Sequence, residues 1–397
     1  MNDLQGKKIL IGVTGGIAAY KAVEVVSRLK KSGAEVKVVM TRAATEFVTP
    51  RTFQEISKNP VSVEMFSETF NYNVEHIALA NWADVVLIAP ATANFLAKAA
   101  HGIADDLLTT IILATPAPLI IAPAMNSLML EHPATQSNIE ILKQRGAKFI
   151  DSETGLLACG VTGKGRLAEP INICEEIEKF FTSKILAGKK ILVTAGGTSE
   201  PLDPVRFISN RSSGKMGYEI AKAAQMHGAE VILISGNATV EPPKVSKFVK
   251  VETAEQMREK VLDEFETVDA VIMSAAVSDY RVKSVSPQKI KKDEDNLTIE
   301  LVKNPDILKE LGRIRKDQIL VGFAAETVNV IHYAKNKIAE KNLDFIVANN
   351  VTKEGAGFSV DTNIVTIIDR EDEIENLPKM SKAEVAEKII LRVAERL

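Results

Sequence analysis

The chain has 397 residues, 46% of them hydrophobic and 25% charged, with a formal net charge of −3. That length predicts two domains, and the balanced charge argues against a nucleic-acid surface. The longest apolar stretch, LLTTIILATPAPLIIAPAM, is interrupted by three prolines, short of the ~20 unbroken residues a membrane helix needs; with the polar start MNDLQGKK, a cytoplasmic protein is expected.

KKILIGVT (7–14) reads as a buried strand. A helical period follows, with Ile17, Val23, Val26 and Leu29 apolar, lysines between them, and Gly33 as the stop. AEVKVVMT, ADVVLIAPAT and APLIIAPAM are three more strands, and DDLLTTIILA and ATQSNIEILKQRG are helices. Continuous apolar strands alternating with helices predict a parallel sheet covered on both faces. Around Phe181–Gly188 periodicity fades, and the domain linker is expected there. GKKIL, which opened the first domain at Gly6, then recurs at Gly188. KKILVTAGG, AEVILISG, DAVIMSAA, DQILVGFAAE and LDFIVANN read as strands. KMGYEIAKAAQMHG, TAEQMREKVLDEF, NKIAEKN and SKAEVAEKIILRVAERL read as helices, and 282–296 as a polar, mobile, lysine-rich stretch. The fold class is therefore α/β, with two doubly wound domains at 1–184 and 188–397.

Such sheets bind ligands beyond the carboxyl ends of their strands, where glycine turns meet helix N-termini. Gly15 and Gly16 sit at the first such turn. They serve either as a phosphate cradle or as tight strand–helix packing. Thr41, Thr92 and Asn94 follow at other strand ends, and together these residues suit a mononucleotide phosphate and a flavin edge. Asn126 in APAMNSLML is either a donor to a carboxylate or an Asx turn. His76 alone reads more readily as structural. Cys159 lies in the glycine-rich TGLLACGVTGKGRLAEP, read as a flexible flap, and Cys174 on a helical core face. Two cysteines suit a reducing compartment without disulfides, and five scattered histidines give no zinc pattern.

In the second half, GGTSEPLDPVRFISNRSSGKMG leads from strand to helix. A loop this long inside a compact domain points to function. Its SSGKMG backbone, with Arg206, Arg211 and Lys215 nearby, suits an anion. Asp279 ends MSAAVSDY as a site residue, a helix N-cap or an Asx turn. The KIKK run from Lys289 ordinarily reads as a solvated cluster. Neither GVTGGIAAYK nor AGGTSEP has GxGxxG spacing, and no Walker A motif is present. A nicotinamide enzyme and a P-loop nucleotide site are thereby disfavoured.

GVTGGIAAYKA, H-I-x-L-x-x-W-A-D, APATANFLAKAAHGIADDLLT, PAMNxxM and ACGxxGxGR resemble the flavin-dependent cysteine decarboxylases. In order and spacing the whole chain resembles the bacterial family that joins such a decarboxylase to a phosphopantothenate–cysteine ligase in coenzyme A synthesis. The resemblance implies a flavodoxin-like flavoprotein domain and a Rossmann-like ligase domain. It implies FMN lined by Gly15, Gly16, Ile17, Thr41, Thr92, Asn94 and Met125. It makes His76 the residue of the oxidative step, Asn126 the grip on the substrate carboxylate and Cys159 the final proton donor. Oxidising CH₂–SH to a thioaldehyde creates the electron sink that loss of CO₂ requires, and a thiol can then protonate carbon.

For the second half it implies ligation of L-cysteine to 4'-phosphopantothenate through an acyl-cytidylate made from CTP. Asn210 serves that intermediate. CTP is contacted by Met273, Ser274, Ala275, Asp279, Lys289, Pro305, Asp306, Ile307, Leu308 and Phe323. Lys337 and Lys341, four apart on one helix face, are set over the triphosphate. Mg²⁺ would be met by Asp279. Trimers of the decarboxylase domain joined by ligase dimers imply a closed homo-oligomer such as a dodecamer, with no nucleic-acid or membrane partner. Val161 and Leu130 depart from the family's usual acidic and aromatic residues. The competing readings are an FMN-binding regulatory protein without catalysis, which predicts loss of His76, Asn126 or Cys159, and a flavodoxin-like carrier joined to a nicotinamide reductase, which predicts GxGxxG.

Overall fold

The structure is a computed structural model that describes residues 4–65, 75–156, 160, 162–291, 297–326, 330–350, 357 and 360–397. The chain divides into two compact units, Met1–Thr182 and Ser183–Leu397.

The first unit contains strands β1 (Lys8–Val13), β2 (Glu35–Met40), β3 (Val61–Ser62), β4 (Val85–Ala91), β5 (Leu119–Pro123), β6 (Lys148–Phe149), β7 (Glu153–Leu156) and β8 (Thr162–Arg166). Its helices are α1 (Ala19–Lys31), α2 (Arg42–Thr45), α3 (Pro50–Ser57), α4 (Glu75–Trp82), α5 (Ala93–His101), α6 (Leu107–Ala114), α7 (Ser127–Glu131), α8 (Pro133–Gln144) and α9 (Pro170–Phe181). Six strands form a parallel sheet in the order β3-β2-β1-β4-β5-β6. Alternation along β1 explains the two layers. Ile9, Ile11 and Val13 enter the core shared with α1, α3 and α9. Leu10 enters the opposite core with α4, α5, α6 and α8. Helix α1 buries Ala19, Ala22, Val25, Val26 and Leu29 and ends in three basic residues, which suit the negative end of its dipole.

The second unit contains β9 (Lys190–Ala195), β10 (Ser199–Pro201), β11 (Phe207–Ser209), β12 (Glu230–Ser235), β13 (Lys247–Lys250), β14 (Ala270–Met273), β15 (Tyr280–Val282), β16 (Leu301–Lys303), β17 (Ile319–Glu326), β18 (Phe345–Asn350), β19 (Thr362–Asn363), β20 (Val365–Asp369), β21 (Ile374–Asn376) and β22 (Met380–Ser381). Its helices are α10 (Lys215–Met226), α11 (Ala254–Phe265), α12 (Ile307–Ile314), α13 (Val330–Lys341) and α14 (Lys382–Ala394). The main sheet runs β13-β12-β9-β14-β17-β18-β20-β21. It is parallel through β18, and β20 and β21 extend it antiparallel. Helices α10 and α14 cover one face and α11, α12 and α13 the other. The six parallel strands of both sheets run 3-2-1-4-5-6, the Rossmann order; in the first sheet the edge strand β3 has two residues, and without it the order β2-β1-β4-β5-β6 is the flavodoxin-like one.

Three local features differ from the sequence reading. Ile17 and Ala18 form a turn, so α1 begins at Ala19. Within the expected linker, Leu186 is fully buried in the second unit's core and its N–H donates to His227 O at 3.0 Å; a leucine among polar neighbours is a docking residue here. The stretch read as a flexible flap contains the antiparallel hairpin β7–β8, whose glycines let it approach the sheet.

Candidate functional site

In the first sheet the chain winds away from β1 in both directions, so β1 and β4 flank the switch point. Thr14, directly after β1, joins them. Its hydroxyl donates to Pro90 O at 2.8 Å and accepts from Thr92 N at 3.0 Å. Thr92 in turn caps α5 by accepting from Phe95 N. Gly15 lies against Ala43, where a Cβ would collide, which is the packing reading of this glycine. Gly16 is open apart from Thr92 Cγ2 at 3.6 Å. Helix α1 starts without a side-chain cap, leaving first-turn N–H groups to other acceptors. Ile17 is exposed at this turn, and Asn94 is exposed in the first turn of α5.

Thr41 follows β2 at the same edge, and its Oγ1 is buried without a hydrogen-bond partner. Buried polar atoms are nearly always satisfied, so an orphan marks the place of an absent group. A phosphate at the glycine turn is an acceptor this hydroxyl can serve, and the residues present fit FMN in that respect.

Beyond β5, Met125 N donates to Gly165 O at 3.0 Å and Ser127 Oγ to Lys164 O at 2.7 Å. The hairpin β7–β8 is thus fastened beside Asn126. Gly165 has φ +127°, and a Cβ there would run into Met125 O. Asn126 caps α7, its Oδ1 accepting from Leu128 N at 2.9 Å, so the turn role is filled by the oxygen. His76 is half-buried on the first turn of α4, behind Glu75, which accepts from Ser62 Oγ. Leu130 is buried in the α-helical core face. Cys159 and Val161 lie outside the described residues. Cys174 is buried, as its helical pattern predicts, and burial pushes its thiol up to about 12.

In the second sheet, β9 and β14 flank the switch point. The loops that leave them cross here. Ala276 N donates to Gly196 O at 2.8 Å, Ala275 N to Thr194 Oγ1 at 3.1 Å and Ser278 N to Thr198 Oγ1 at 2.9 Å. Asn210 Nδ2 donates to Ala276 O at 3.1 Å, which brings the long loop onto the same crossing. Gly214, at φ +79°, precedes α10 without a side-chain cap, so this helix N-terminus also suits an anion. Two buried polar atoms lack partners at this edge: Ser278 Oγ after β14 and Asn349 Oδ1 near the end of β18. Asn349 shares a sheet face with Phe323 through the pairing of Phe323 with Val347. Among the described residues, Arg392 Nη1 is the remaining buried atom without a hydrogen bond, and it stands 3.6 Å from Glu375 Oε2.

The other expected contacts divide by exposure. Met273, Ile307 and Leu308 are buried in the core, while Ser274, Ala275, Pro305 and Phe323 are half-buried and Asp279 and Lys289 exposed. Asp279 precedes a strand, not a helix, which removes its N-cap reading. Asp306 is the cap of α12, accepting from Lys309 N at 3.0 Å. The expectation that Lys341 stands over a triphosphate meets a competing partner: its Nζ is 2.8 Å from Asp306 Oδ2. Burial pushes the Asp306 carboxyl up, but Lys341 and the Lys309 N–H outweigh it and hold it below its ordinary value. Lys337 lies one turn earlier on α13. Among the described residues, no three His, Cys, Asp or Glu side chains gather to hold a metal. Nor is any helix long and apolar enough to cross a membrane.

Thr14, Ser278 and Asn349 escaped the sequence reading. Their signal, a small polar residue one or a few positions beyond an apolar strand, is too common to single them out.

Two doubly wound sheets, each with a candidate site at its switch point, make this a two-domain α/β protein of the ligand-binding class. The family described as Flavoprotein matches residues 1–182, and the DNA/pantothenate metabolism flavoprotein C-terminal domain matches residues 186–397. The chain is 50% identical over 395 residues to the coenzyme A biosynthesis bifunctional protein CoaBC of Bacillus subtilis strain 168, covering 98% of this chain and 97% of that one. With the protein of the same name from Escherichia coli K12 it shares 46% identity over 366 residues, 91% of this chain and 90% of that one. A crystal structure of the C-terminal domain of CoaBC is 46% identical, covers 54% of this chain and 97% of that chain, and superposes with a TM-score of 0.47. The chain belongs to the CoaBC family: it is a bifunctional enzyme of coenzyme A biosynthesis, with a flavoprotein decarboxylase domain and a ligase domain.

Proposed function

We propose that the C-terminal domain joins L-cysteine to 4'-phosphopantothenate at the expense of CTP, and that the N-terminal domain decarboxylates the resulting 4'-phosphopantothenoylcysteine to 4'-phosphopantetheine with FMN. The observation that carries the first site is the orphaned Thr41 hydroxyl at the edge where the Gly15–Gly16 turn meets an uncapped helix. Gly15, Gly16, Ile17, Thr41, Thr92, Asn94 and Met125 would hold FMN, which when bound supplies a reversible two-electron sink. His76 would exchange a proton with the substrate during oxidation. The Asn126 amide N–H would orient the carboxylate while its oxygen keeps the cap. Cys159, outside the described residues, would deliver the proton from Sγ to carbon after CO₂ leaves.

At the second site the phosphopantothenate carboxylate attacks the α-phosphorus of CTP and expels pyrophosphate. The cysteine amine then attacks the acyl carbon and expels CMP. Asn210 is tied to the switch-point crossing through Ala276 O, which suits a residue that must face the acyl group. Lys289 would neutralise charge that develops on the phosphates. Ser278 and Asn349, each with a buried, unpaired side-chain oxygen, are further candidates to meet the nucleotide or acyl group. Mg²⁺ would arrive on the CTP phosphates, with Asp279 meeting it. The exposed Ile17, Tyr20, Leu128 and Met129 near the first site favour its completion by a second copy in a homo-oligomer.

The test is a pair of half-reactions. Phosphopantothenate-dependent release of pyrophosphate from CTP, and a flavin absorption spectrum identified as FMN after denaturation, are expected. A colourless protein, or pyrophosphate release indifferent to phosphopantothenate, would overturn the reading.

A further inference from the structure

The loop that carries Lys289 is seated on the turn between β10 and β11. Ser286 N donates to Leu202 O at 2.9 Å. Asp203, buried at 3% exposure, accepts with Oδ1 from the N–H groups of Val205 and Arg206, each at 2.8 Å. Its Oδ2 accepts from Arg206 Nε at 2.9 Å and from Ile290 N at 3.1 Å. Arg206 Nη2 then donates to Ile290 O at 2.9 Å. One ion pair therefore holds both polar backbone atoms of the residue next to Lys289. The Arg206 guanidinium keeps the Asp203 carboxyl well below the usual carboxylate range, so the acceptor persists at any working pH. A buried carboxylate whose hydrogen bonds reach 87 residues along the chain does more than close its own turn.

We propose that Asp203 is a positioning residue for the ligase reaction: with Arg206 it grips the Ile290 backbone and sets where Lys289 stands. This rests on the role given to Lys289 above. Asp203→Asn is a selective probe. An amide can keep its oxygen on the Val205 and Arg206 N–H groups, but it places an NH₂ where Oδ2 met Arg206 Nε, Arg206 Nη2 and Ile290 N.

The assay is CTP-dependent pyrophosphate release by the full chain, with decarboxylation of supplied phosphopantothenoylcysteine as the internal control. Asp203→Asn is expected to lower kcat by roughly 10- to 100-fold, the cost of about 1 Å of misplacement at a catalytic group. The control is expected to hold, and amide exchange at Ile290 to accelerate. The double variant Asp203→Asn with Lys289→Ala should be no slower than Lys289→Ala alone. Multiplying losses in the double variant, or a wild-type rate for Asp203→Asn, would overturn the inference while leaving the role of Lys289 standing. An unchanged rate for Lys289→Ala would remove both. If Asp203→Asn loses the ligase domain's thermal transition, Asp203→Glu, which keeps the charge but displaces the Ile290 contact, is judged by the same double-variant criterion.

Discussion

Thr14 and Thr41 lie at the same sheet edge, yet valine in their place should have opposite effects on stability. The Thr41 hydroxyl is buried and unpaired, a state that costs about 1–3 kcal/mol. Thr41→Val should therefore stabilise the flavin-stripped protein by about 1 kcal/mol, raising the Tm of a domain this size by roughly 2–4 °C. At the proposed FMN site the same change would remove a hydrogen bond to a charged phosphate, worth about 1.5–3 kcal/mol, so FMN affinity should fall roughly 10- to 150-fold. The Thr14 hydroxyl, by contrast, satisfies Pro90 O at 2.8 Å and Thr92 N at 3.0 Å. Thr14→Val strands Thr92 N, while Pro90 O keeps the Thr14 N–H at 3.3 Å, and should cost about 1–3 kcal/mol, a Tm drop of roughly 2–12 °C. Calorimetry of the stripped proteins and fluorescence titration with FMN measure both quantities. A lower Tm for stripped Thr41→Val, or FMN affinity within twofold of the parent, would refute the reasoning from the orphaned hydroxyl.

Gly165→Ala should push the β7–β8 hairpin off Met125 O and lower decarboxylation at least ~10-fold while leaving pyrophosphate release intact; a misplacement of about 1 Å is enough for that loss. Cys174, whose thiol burial pushes up to about 12, should resist alkylation at pH 8 in the folded protein and react once denatured, as peptide mass spectrometry can read. Lys21 is buried against Glu169 at 3.0 Å, and Lys21 holds the Glu169 carboxyl below its ordinary 4.5. A depressed carboxyl gives stability that is present above its unfolded pKa and lost as pH falls through the folded one. Glu169→Gln should therefore lower Tm at pH 7, with the gap closing as pH drops below 4.5; a gap that widens in acid would contradict the pairing.

The sheets were legible because parallel strands buried on both faces are continuous apolar words, as in KILIGV and KILVTA. The turn at Asn126 was legible for the same local reason: turns and caps use few residue types. What escaped depends on distance along the chain. Thr14 meets Thr92 across 78 residues and Lys341 meets Asp306 across 35, and no local pattern announces either. Whether a hydroxyl such as Ser278 Oγ is satisfied is decided by everything packed around it. The loop before Lys291 reads as polar and mobile, yet Asp203 and Leu202 anchor it. Its anchors are backbone groups, which composition does not reveal.

The central claim is that one chain carries two consecutive reactions. Mass spectrometry of the products formed from 4'-phosphopantothenate, L-cysteine, CTP and Mg²⁺ tests it most directly. Expected are 4'-phosphopantetheine, CMP, pyrophosphate and CO₂ in equal amounts, with Cys159→Ser halting after CO₂ loss at the oxidised enethiol and forming no 4'-phosphopantetheine. Formation of 4'-phosphopantetheine without CTP, or undiminished formation of 4'-phosphopantetheine by Cys159→Ser, would contradict it.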